Sequence, residues 1–130
     1  MSDFFSSGWS LFIAAVTIVG LLACLGLLVK LGIPRENVWV TDLAGVVYEG
    51  RVELMDPDKA QYAQKTDART LTDVIEGADV FLGLSAGNVL KPAMVAKMAA
   101  KPVIFALANP NPEITPEDAH KVRDDIVMAT

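Results

Sequence analysis

The stretch GWSLFIAAVTIVGLLACLGLLV, residues 8–29, contains no charged side chain, and the way it folds decides what the rest of the chain can build. Wound as one helix it reaches roughly 30 Å, the hydrocarbon thickness of a bilayer. Trp9 and Phe12 then stand where interfacial aromatic anchors sit, and Lys30 and Arg35 follow the far end, which places the C-terminal part in the cytoplasm. The opening Met-Ser-Asp-Phe-Phe lacks the basic start of a secretory signal, and no small-residue cleavage site precedes Lys30. A buried core helix is the plainer alternative. A further reading makes LFIAAVTIV, Leu11 to Val19, a β-branched strand, with Gly20 turning into a helix over Leu21 to Leu31. Lipid favours the helix and water the strand, and both readings remain open at the level of sequence.

Outside this stretch the chain changes character. Lys30 to Thr130 holds all 11 basic residues and every acidic residue except Asp3. The formal charge of -5 and the scatter of the cations leave no basic patch to hold a phosphate backbone, so nucleic acid is not an expected partner. One cysteine, Cys24, and one histidine, His120, exclude an internal disulfide and a zinc-ligand spacing.

Short apolar runs alternate with helical stretches, the pattern of a parallel sheet covered by helices. Strands are predicted over Asn37 to Thr41, Ala78 to Leu84, Pro102 to Leu107 and Ile126 to Ala129. Helices are predicted over Pro57 to Gln64, Leu71 to Glu76, Asn88 to Ala100 and Thr115 to Val122. The last opens with Thr115 as N-cap and Pro116 at the first helical position.

Ligands of open α/β sheets lie outside the carboxyl ends of the strands, and three such ends define one candidate crevice: Asp42, then Ser85-Ala86-Gly87, then Asn109-Pro110. An acid ending the second strand of a dinucleotide-binding fold accepts from ribose hydroxyls, though at a strand end it also serves as a turn former. Gly83 and Gly87 allow close backbone approach or simply turn the chain. The Asn109 amide can orient a carboxylate or carboxamide, or form an Asx turn. Asp56, Asp58, Asp124 and Asp125 are read as solvated acids rather than metal ligands, and Tyr48 and Tyr62 as packing or surface residues.

Four segments carry a family resemblance: Leu27 to Arg51, with VTDLAGVVYEGR; Leu54 to Thr66; Leu71 to Lys91, with DVFLGLSAG; and Pro102 to Ala119, with FALANPNPEI. In this order they resemble the NAD(P)-binding domain of bacterial malic enzymes, including the large form fused to a phosphotransacetylase-like region. The resemblance implies oxidative decarboxylation of malate to pyruvate and CO2 with NAD or NADP and a Mg or Mn ion. It implies that Asp42 marks the adenosine end, that Ser85, Ala86 and Gly87 line the dinucleotide, and that Asn109 faces nicotinamide and malate.

The resemblance breaks at the N-terminal side. The family carries a strand and a GAGAAA-like turn before its ACLxLLVxLG helix, whereas here AAVTIVGLL, Ala14 to Leu22, precedes ACLGLLVKLG. Val16 and Ile18 stand where glycines are expected, and β-branched side chains there oppose close approach of a pyrophosphate. The first residues resemble instead the membrane anchor of the cytochrome c subunit of cbb-type cytochrome oxidases, with ACLGLL as a junction, so a chimera or fragment is expected.

The family's acid–base tyrosine and lysine and its metal-holding carboxylates lie N-terminal to the dinucleotide domain and have no counterpart here, which leaves an expected chain without activity of its own. The expected fold is α/β, an incomplete Rossmann-like parallel sheet flanked by helices and preceded by an apolar, candidate transmembrane, helix. Residues 1–29 form the apolar segment and 30–130 a partial dinucleotide-binding domain. An oligomer, or dependence on a domain elsewhere, is expected. The expected location is cytoplasmic, or the inner membrane, with the C-terminus in the cytoplasm, if residues 8–29 span it. The alternative function is a single-pass membrane-anchored subunit, or a fusion, with a non-catalytic α/β domain.

Overall fold

A computed structural model describes residues 12–16, 19–84 and 86–130. Strand β1, Phe12–Val16, lies in the middle of a six-stranded sheet, parallel to β2 (Val38–Asp42) on one side and to β4 (Val80–Leu84) on the other. Beyond β2 runs the short antiparallel β3, Gly45–Val46, and beyond β4 follow β5, Val103–Ala106, and β6, Val127–Ala129, both parallel. The spatial order is β3-β2-β1-β4-β5-β6. The chain moves outward from β1 to β2, then returns to the opposite side of β1 for β4. That reversal is a topological switch point, where open α/β sheets place their ligands outside the carboxyl ends of the strands, here β1 and β4.

The apolar N-terminal stretch is therefore divided between a strand and a helix, and the expected membrane-spanning helix is not formed. Helix α1, Val19–Lys30, has 12 residues, about 18 Å of rise against the roughly 30 Å a bilayer requires. Among the described residues no helix is long and apolar enough to cross a membrane. The physical reason lies in the sheet. Between β2 and β4 stand two rows of unpaired main-chain groups, and Phe12 to Val16 satisfies both at once, in register with Val38 to Thr41 and with Val80 to Leu84. Of the two expected anchors, Phe12 instead begins β1, and Trp9 lies outside the described residues.

Each face of the sheet has its own core. On one face Leu25 of α1 packs with Ile33, Val38, Val40, Val47, Tyr62 and Val80. On the other, Ile13, Phe81 and Ile104 are covered by Val74 and Ile75 of the α3 region (Leu71–Val74), Val95 of α4 (Pro92–Ala96) and Ala119 of α5 (Pro116–His120). Ile13 and Phe81 have no exposed surface, and burial of each such side chain contributes about 1.5–3 kcal/mol.

The helices after α1 are shorter than their sequence patterns predict. Helix α2 stops at Pro57–Ala60 because Gln64 is drawn to the sheet: it bridges Tyr48, and its Nε2 donates to the Val38 carbonyl at 2.9 Å. Helix α4 begins only at Pro92 because the amides of Asn88 and Leu90 are bonded to Pro112 and Glu113 of the β5–α5 loop. Thr115 caps α5 as expected, its side chain accepting from the Asp118 amide.

Candidate functional site

The crevice is built from loops that leave the carboxyl ends of the parallel strands. Asp42 is the last residue of β2, and the Leu43-Ala44 turn reverses the chain into β3 at Gly45. Gly45 has φ +94°, and a Cβ there would run into the Arg69 carbonyl, so the tight turn requires glycine.

The Asp42 carboxylate is fully engaged. Oδ1 accepts from Ala44 N and Arg51 Nη1, both at 2.9 Å, while Oδ2 accepts from Arg51 Nη2 at 2.5 Å and Lys59 Nζ at 2.7 Å. Four donors fill the roughly four lone-pair sites of a carboxylate. The Asp42 side chain is 4% exposed and that of Arg51 3%. Arg51 also donates to the carbonyls of Gly45 and Val46, and its Nε has no partner among the described residues. Burial pushes the Asp42 carboxyl up, but the bonds from Arg51, Lys59 and Ala44 outweigh it and hold the group below its ordinary value. The cluster carries two positive charges against one negative. The acid expected to accept ribose hydroxyls is thus already paired, with Lys59 its more exposed partner.

The other end of the crevice is formed by two loops in contact. Ala86 and Gly87, after β4, are exposed, and Ser85 lies outside the described residues. Asn109, after β5, is exposed and joined to Pro110 by a cis peptide bond. A Cβ on Gly87 would meet the Asn111 Cβ at 2.9 Å, so the loop after β4 lies against the loop after β5 just beyond Asn109-Pro110. Asp42 stands apart, on the far side of β1. The two strand spacings from β2 to β4 make about 10 Å. Val16, at a position where the family has glycine, is the last residue of β1, and Ile18 lies outside the described residues.

Three residues that the sequence reading did not single out shape this crevice. Arg51 and Lys59 hold Asp42, and their signal was the first two basic residues after the strand-end acid, nine and seventeen positions on. Glu113 is wholly buried beneath the Asn109 loop, where its Oε1 accepts from Ala108 N at 3.1 Å. Its signal was Gly83, a glycine inside a strand, which marks a close approach. Two of the acids expected to be solvated have structural partners: Asp56 caps α2 through the Lys59 amide, and Asp125 pairs with Arg123 at 2.6 Å. Tyr62 is core, and Tyr48 lies under the Arg69 guanidinium at 3.5 Å. Among the described residues no three His, Cys, Asp or Glu side chains are grouped to hold a metal.

Residues 15–130 match the family model for the NAD binding domain of malic enzyme. An NAD-dependent malic enzyme of Rhizobium meliloti is 62% identical over 109 residues, and an NADP-dependent malic enzyme of Escherichia coli 53% over 110; each alignment covers 84% of this chain and 14% of the relative. The crystal structure of NAD-dependent malic enzyme from Thermotoga maritima superposes with a TM-score of 0.79 at 33% identity, covering 92% of this chain and 33% of that one. The chain thus spans about a seventh of the curated relatives' length. The matched segment includes residues upstream of ACLGLL, the expected junction, and neither the described residues nor the relatives support the likeness to an oxidase anchor. Sheet order, crevice and sequence agree that the chain belongs to the malic enzyme family, as a segment of its NAD-binding domain.

Proposed function

We propose that this chain binds an adenine dinucleotide across the carboxyl ends of β2, β1, β4 and β5, and that in a whole malic enzyme this segment presents NAD or NADP for hydride transfer from malate. The observation that carries the reading is the strand order, with its reversal at β1 and β4, in a chain 62% identical to an NAD-dependent malic enzyme.

The residues fit such a ligand at both ends of the crevice. Adenosine is assigned to Asp42, whose Oδ2 exchanges the Lys59 ammonium for a ribose hydroxyl. Ser85, Ala86 and Gly87 are assigned to the middle of the dinucleotide, and Asn109 to nicotinamide and malate. Arg51 and Lys59 more than neutralise Asp42, which removes the repulsion by which a lone carboxylate disfavours a 2′-phosphate, so the proposal covers both NAD and NADP. Bound dinucleotide would supply a hydride acceptor. This chain's own residues would bind and orient it, and proton transfer would fall to residues elsewhere in the polypeptide, so the chain alone is proposed to be inactive on malate.

Titration of the purified chain with NAD and NADP separately, followed by thermal shift, tests this. A saturable rise in melting temperature is expected with at least one of them, and no shift with either at millimolar concentration overturns the reading.

A further inference from the structure

Glu113 has no exposed surface, and none of the assigned contacts uses it. Its Oε1 accepts from Ala108 N, the amide immediately before Asn109, at 3.1 Å. Its Oε2 lies against Gly83 so closely that a Cβ at that position would collide with it. The glycine inside β4 is therefore the space the carboxylate occupies. Through its main chain Glu113 reaches the other loop: its carbonyl accepts from Leu90 N at 3.1 Å, and the carbonyl of its neighbour Pro112 accepts from Asn88 N at 3.1 Å. A single buried residue thus touches the end of β4, the loop after β4 and the loop after β5.

We infer that Glu113 is a positioning residue which couples the loop 86–90 to the loop 108–113 and so fixes where Asn109 stands. Only the consequence for ligand binding rests on the proposed function; the coupling of the loops stands on geometry alone.

The test uses the whole chain with Glu113→Ala, Glu113→Gln and Gly83→Ala. In Glu113→Ala, amide hydrogen exchange is expected to accelerate about tenfold or more both at Asn88 and Leu90 and at Ala108, with β1 and β2 unchanged. Glu113→Gln keeps an acceptor oxygen and is expected to restore protection, while Gly83→Ala displaces the carboxylate and reproduces the loss. Acceleration confined to 108–113, or uniform across the sheet, overturns the coupling.

Ligand binding supplies the second readout. ADP reaches only the adenosine end and is expected to bind Glu113→Ala as it binds the wild type, whereas NAD weakens about tenfold. Equal weakening of both overturns the positioning role. Failure of the wild type to bind either nucleotide counts against the proposed function, and the exchange comparison still decides the coupling.

Discussion

Two buried carboxylates lie under the two ends of the crevice, and they are held in different ways. Asp42 is matched by charge: a bidentate guanidinium from nine residues on and an ammonium from seventeen residues on converge on its two oxygens. Glu113 is tied into main chain, taking the Ala108 amide on its side chain and the Leu90 amide on its carbonyl. The first arrangement ties the segment after β3 and helix α2 to the end of β2 through ion pairs. The second fixes two separate loops relative to each other through geometry. A charge-matched site is sensitive to the loss of a cation and to acid, and a geometric brace to the loss of an acceptor or of space.

Removing the fork from Asp42 is expected to have the largest effect. Arg51→Ala leaves a buried carboxylate with one cation and empties the space the guanidinium fills, and a loss of about 3–5 kcal/mol in urea unfolding is expected. The same pair sets an acid limit. Because the folded Asp42 carboxyl titrates below its unfolded value, its contribution is complete above about pH 4 and disappears as pH falls through the folded value. Asp42→Asn is therefore expected to flatten that part of the stability profile below pH 4. An unchanged acid slope would show that the pair does not carry charge-dependent stability.

Next in size comes Glu113→Ala, which strands the Ala108 amide; about 1–3 kcal/mol is expected from the same unfolding measurement. Glu113→Gln, with its acceptor oxygen, should lose less than about 1 kcal/mol. If glutamine proves as damaging as alanine, charge rather than geometry holds this end, and the contrast with Asp42 collapses. Thr115→Ala, which removes the α5 cap without touching either carboxylate, is expected to cost about 1 kcal/mol and marks the scale of a purely local loss.

The pattern of legibility follows the range of the interactions. Strands β2, β4, β5 and β6 were readable from their own apolar residues, and α5 from Thr115 and Pro116, because those signals are local. Residues 12–16 were ambiguous, since the same apolar residues suit lipid as a helix or a sheet as a strand. What decides between them is the vacancy between β2 and β4, which no local pattern records. Helices α2 and α4 were read too long because Gln64 and Leu90 bond to Val38 and Glu113, distant in sequence. At the crevice, Asp42 was legible as a strand-end acid, but its pairing with Arg51 and Lys59 was not. Glu113 was hidden inside a loop motif whose visible residue was Asn109. Gly83 was the trace it left, and a glycine after or within a strand has too many ordinary explanations to identify the group that lies against it.

The smallest expected effect decides how the two cations share Asp42. Lys59 is 15% exposed in its side chain, and its ammonium donates to the Leu54 carbonyl at 2.8 Å and to Asp42 Oδ2 at 2.7 Å. It therefore closes the turn between Arg51 and α2, while the guanidinium alone makes two parallel bonds to the carboxylate. Lys59→Met keeps most of the aliphatic stem and leaves that fork intact, so a loss of about 1 kcal/mol or less is expected, with the acid slope of the wild type retained. A loss as large as that of Arg51→Ala would mean that Asp42 is held by a net positive field rather than by the fork. In that event the double variant would show strong non-additivity, because either cation would already have removed most of what the pair supplies.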